Sequence, residues 1–79
     1  MISRRYFVTY ADNDGKVIST TNYGISQEEN ETEQNFLNLK DGQIALRLFE
    51  VINHCTCYNC KAIINFWLLK EEIIDIEKN

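Results

Sequence analysis

The residues best equipped for chemistry crowd into one short stretch: His54, Cys55, Cys57 and Cys60, the sole histidine and all three cysteines of the chain. Imidazole and thiolate suit Zn²⁺ or Cu(I), and the pattern H-C-x-C-x-x-C offers four such ligands. A tetrahedral centre with Zn–S bonds of about 2.3 Å, however, usually draws its ligands from two separated segments, and no second half exists in this sequence. A metal held here would need a partner chain or a bridged dimer. Cys57-x-x-Cys60 also has dithiol spacing, but redox pairs of that kind open a helix after a strand, where the dipole lowers the thiol pKa; this one follows a helix. The odd cysteine count argues for reduced thiols rather than a disulfide framework. The preferred reading is a helix-to-strand connection in which cysteine packs as a small hydrophobe, with no cofactor. A small zinc-binding or thiol-redox protein built on His54, Cys55, Cys57 and Cys60 is the alternative.

Other chemistry finds less support. Asp12-Asn13-Asp14-Gly15 resembles the middle of a calcium loop, but with Gly15 as the sixth loop position the first and twelfth fall on Tyr10 and Thr21, so both anchoring carboxylates are missing. No phosphate-binding loop, nucleophile elbow or H-E-x-x-H occurs, and the three glycines are isolated. With 79 residues and one expected helix there is little material to enclose a pocket, and no enzyme is expected.

The elements around these residues follow from pattern. Residues 4–11 are rich in aromatic and β-branched side chains and predict a first strand; Asp12 to Gly15 is a hairpin turn, and Val17 to Tyr23 the returning strand. A polar acidic segment, residues 26–35, predicts a mobile loop with a helical turn capped by Ser26 and Glu29; Phe36, Leu37 and Leu39 bring it back to the core. Asp41 is the best N-cap. Beyond it Ile44, Leu48, Val51, Ile52 and Cys55 recur at helical spacing, so residues 42–54 form an amphipathic helix whose outer face carries Gln43, Arg47, Glu50 and Asn53. Lys61 to Lys70 is a third strand in which both alternate sets, Ala62, Ile64, Phe66, Leu68 and Ile63, Asn65, Trp67, Leu69, ask for burial.

Two strands, a helix and a strand make one α+β domain of ββαβ type over residues 1–79: a three-stranded antiparallel sheet in the order 2-1-3 with one amphipathic helix packed on one face. One helix covers one face. The opposite face then exposes Ile63, Trp67 and Leu69 with one set from the first strand, either Tyr6, Val8 and Tyr10 or Phe7 and Thr9. A patch of several hundred Å² is rarely left wet on a soluble monomer, and Tyr6, Tyr10, Ile63, Trp67 and Leu69 are the expected contacts of a second copy or a host protein.

The net charge is −4, from 12 acids and 8 bases. Apart from Arg4 and Arg5 the bases stand singly, so direct nucleic-acid binding is not expected. Glu28, Glu29, Glu31 and Glu33 form an acidic group, read as a solvated surface or as a mimic of nucleic acid aimed at a basic host nuclease. The longest apolar run is Phe66 to Leu69, and no signal core opens the chain, so neither a membrane span nor secretion is expected and the location is cytoplasmic.

Tyr6-Phe-Val-Thr-Tyr10, the glycine hairpin and the closing Ala62-Ile-Ile-Asn-Phe-Trp-Leu-Leu-Lys-Glu71 resemble a group of small bacteriophage and prophage accessory proteins with a YFV(S/T)Y opening strand. The resemblance covers about half the chain and carries no catalytic residue. It implies a mobile-element accessory protein, in a class whose members bind and modulate host proteins.

Overall fold

The computed structural model describes residues 1–55 and 60–74, and its elements run β1 (Ile2–Asp12), β2 (Val17–Ser26), α1 (Glu33–Leu37), α2 (Asp41–Cys55) and β3 (Cys60–Ile73). The three strands form one antiparallel sheet in the order β2-β1-β3, as expected, with a second short helix besides the expected one.

The hairpin closes on its first aspartate. One Asp12 carboxylate oxygen accepts the backbone N–H of Asp14 and of Lys16, each at 2.9 Å, and Gly15 supplies the positive φ of +82°. Both strands outrun their expected bounds: β1 starts at Ile2 and β2 continues to Ser26, whose hydroxyl lies 3.3 Å from that of Ser3. Ser26 therefore caps no helix. The cap is Thr32, whose side chain accepts the N–H of Asn35 at 3.1 Å and starts α1. The acidic segment is thus a strand end, a hydrogen-bonded turn and a helix. Gln27 spans it, accepting the Ile2 N–H at 3.1 Å and donating to the Glu31 carbonyl at 2.7 Å. The result is Phe36, fully buried; Leu39 packs beside the core, while Leu37 stays exposed.

Asp41 is the first helical residue of α2 rather than its cap. The Ile44 N–H donates to the Lys40 carbonyl at 3.0 Å, and the Gln43 side chain accepts the Lys40 N–H at 2.9 Å, the return half of a capping box. Asp41 acts through its charge at the positive end of the helix. At the other end Asn53, expected on the outer face, joins α2 to β3: its side chain accepts the Cys60 N–H at 2.7 Å and donates to the carbonyls of Phe49 and Cys60.

Ile44, Leu48 and Ile52 lie along one stripe of α2 and pack on Ile2, Tyr6, Val8 and Tyr10 of β1, with Ile25, Phe36 and Cys60 at the margins. Burying these side chains supplies most of the driving force for folding. Leu48→Ala opens a cavity in this stripe and is expected to cost about 2–5 kcal/mol in urea unfolding, whereas Leu46→Ala, at a position 56% exposed, costs under about 0.5 kcal/mol.

Candidate functional site

The face of the sheet turned away from α2 is built by the odd residues of β1. Ser3, Arg5, Phe7 and Thr9 point there because Ile2, Tyr6, Val8 and Tyr10 point into the core. Phe7 lies opposite Trp67 of β3, and their rings stack at 4.4 Å between centroids with an interplanar angle of 17°. Trp67 is 54% exposed. Around this pair the face is polar: Thr9 and Ser19 share a hydrogen bond of 3.0 Å, and Arg5 donates to the Thr21 carbonyl at 3.3 Å.

Three of the five expected contact residues are therefore misplaced. Tyr6 and Tyr10 are 3% and 2% exposed, inside the core, and Phe7 and Thr9 hold the positions assigned to them. Ile63 is also displaced. Its partner is Tyr10, and Thr9 pairs with Asn65, so Ile64 is an extra residue that turns Ile63 toward the core, where it is half-buried. Further extra residues fall at Lys61 and at Leu69, the latter exposed as expected. Trp67 and Leu69 remain on the surface; Tyr6, Tyr10 and Ile63 leave it.

The signal for Phe7 is present in the sequence. A strand begun at Ile2 gives Ile2, Tyr6, Val8 and Tyr10 one parity and Ser3, Arg5, Phe7 and Thr9 the other, so the more apolar set identifies itself.

β3 is a sheet edge and is exposed along most of its length. Ile64 and Leu68 are 52% and 45% exposed, although Leu68 pairs with Tyr6 and so faces the helix side. Between the start of α2 and β3 runs a groove of about 420 Å³ lined by Tyr6, Ile44, Phe66 and Leu68 among others. The helix stripe dries β1 and leaves the outer flank of β3 open.

The acidic group is divided. Glu31 is held by both terminal nitrogens of Arg47, at 2.9 and 2.5 Å, and Glu28 lies 3.9 Å from the same guanidinium. Glu29 and Glu33 face solvent. Arg47, expected on the outer face beside Glu50, stands 5.9 Å from the Phe36 ring centre, and Arg4 stands 5.1 Å from it. The fork from Arg47 holds the Glu31 carboxyl below the ordinary glutamate value and raises the Arg47 pKa in turn.

Of the cysteine cluster, His54 is exposed and Cys60 is buried at 4% exposure; Cys57 and the Cys55 side chain lie outside the described residues. Burial pushes the Cys60 thiol up, away from thiolate character. Among the described residues no three His, Cys, Asp or Glu side chains converge on one point, and no helix is long and apolar enough to cross a membrane.

Two measurements follow from this geometry. The Glu31 carboxylate contributes stability that is present above its unfolded value of 4.5 and is lost as pH falls through the lower folded value. Glu31→Gln is expected to lose about 1–2 kcal/mol at neutral pH, with the gap to the parent closing in acid on urea titration. Native Cys60 should resist alkylation by iodoacetamide until denaturant is added; prompt labelling would contradict its burial. Comparison with known proteins finds no matching family model, no matching curated protein and no matching solved structure.

Proposed function

We propose that this chain is a non-enzymatic protein-binding module that acts in the cytoplasm on a host protein through the open sheet face. The stacked Phe7–Trp67 pair carries the reading: an exposed, rigid aromatic surface on a central and an edge strand, ringed by hydroxyls and charges. Aromatic rings bury large area at low entropic cost, and a polar rim fixes orientation, which is the composition of an interface centre. The likeness of the opening and closing strands to phage accessory proteins supplies the class of partner.

Neither competing reading gains an observation of its own. A nucleic-acid mimic needs free carboxylates, and Glu31 is spent on Arg47. Of the cysteine cluster, the described members differ in setting: His54 is exposed and Cys60 is buried.

Trp67 is the single tryptophan, so its fluorescence reports this face directly. With a host partner obtained by affinity purification, Trp67 emission is expected to shift to the blue on binding. Trp67→Ala or Phe7→Ala should weaken the complex at least about tenfold. Leu46→Ala, on the exposed side of α2, should not. Binding indifferent to both aromatic changes would overturn the proposal.

A further inference from the structure

The two edges of the sheet differ in kind. β2 presents Ser19, Thr20, Thr21 and Asn22 along its middle, while β3 presents Ile64, Phe66, Trp67 and Leu68, with a row of backbone groups on its free side. The stretch from Asn65 to Leu68, between the extra residues at Ile64 and Leu69, keeps regular register with β1. It is a strand segment suited to pairing.

We infer that β3 pairs antiparallel with β3 of a second copy, about a two-fold axis passing at Phe66. This rests on reading β3 as a contact surface. A two-fold that keeps both helices on one side of the joined sheet must pass through a residue position, because paired residues share a face. Centring on Phe66 sets Ile64 against the second copy's Leu68, Asn65 against its Trp67, and Lys61 against its Glu71. Ile64 meets Leu68 and Ile63 meets Leu69, Lys70 falls only against the small Ala62, and the Lys61 and Glu71 charges are opposite. Centring on Trp67 instead sets Lys70 against Ile64 and Glu71 against Ile63; centring on Asn65 sets Lys61 against Leu69. Of these three registers only that at Phe66 sets opposite charges against one another; among the described residues Lys61 has no ion pair in the single chain, and Glu71, which already holds Arg4, gains a second cation.

The pairing also answers the open flank. The exposed Ile64 and Leu68 of each copy cover one another, and Leu68 brings this contact to the groove beside Ile44 and Phe66. On the open side, the two Trp67 rings become diagonal neighbours at about 7–8 Å, joining two Phe7–Trp67 stacks into one aromatic strip across a six-stranded sheet.

Disulfide trapping tests the register. Opposed Cα atoms in an antiparallel pair lie about 4.5–5.5 Å apart, within the disulfide limit of about 7 Å. Within one chain, residues 64 and 68 are about 13 Å apart. Ile64→Cys combined with Leu68→Cys should give a covalent dimer whose linked peptides join 64 to 68 by mass spectrometry; either change alone should not give a dimer linked through it. Both positions are exposed, so folding is not at stake. The parent protein should sediment as a dimer at micromolar concentration, and Leu68→Asp as a monomer. A parent that stays monomeric, or a dimer in which the double variant forms no 64–68 link, overturns the inference. So does protection of β3 amides from exchange only when a different protein is added. The sedimentation and cross-linking outcomes leave the recognition reading untouched; that reading is decided by Trp67→Ala against the host partner.

Discussion

A single amphipathic stripe has to dry a three-stranded sheet, and everything else in this molecule follows from where that stripe can reach. Ile44, Leu48 and Ile52 cover the central strand, sealing Ile2, Tyr6, Val8 and Tyr10. The same three side chains cannot also cover the outer positions of β3, because the apolar face of one helix is only about 100° wide. Leu68 stays half wet on the helix side, Trp67 stays wet on the other, and Ile64 is exposed between them and the strand start. The exposed surface is a consequence of coverage geometry.

The margin of the core is closed by charge as well as by grease. Two guanidinium groups, Arg4 and Arg47, stand over the Phe36 ring, and each of these is tied to a carboxylate, Glu71 and Glu31 respectively. Cations over an aromatic face are favourable when their own charge is partnered nearby. This arrangement anchors α1 and the preceding turn to α2, and it draws from the acidic segment part of the charge that would otherwise make a uniform negative surface.

The α+β class, the strand order, the hairpin and α2 were all legible from periodicity and turn chemistry, because Asp12 to Gly15 and the spacing of Ile44, Leu48 and Ile52 leave few alternatives. Three features were not. The capping of α1 by Thr32 competes with a plausible Ser26, and only pairing with Ser3 keeps Ser26 in the strand. The faces of β3 change at Ile64 and Leu69, and an extra residue inside a strand leaves no sequence signature when apolar residues stand at both alternate sets, as they do from Ala62 to Leu69. Asn53 reads as solvent-facing by helical period, yet it serves the backbone of Cys60, a contact that depends on where β3 begins. For the candidate site, Trp67 and Leu69 were recoverable, whereas choosing Phe7 over Tyr6 and Tyr10 required starting β1 at Ile2.

The extra residues at Lys61, Ile64 and Leu69 mean that β3 uses fourteen residues to match eleven on β1. Each works like a frameshift in the inside–outside alternation of the strand. Deleting one of these residues would restore simple alternation locally while leaving every β1 residue its present partner. Read with a strict period of two, β3 therefore changes sides at each of these points.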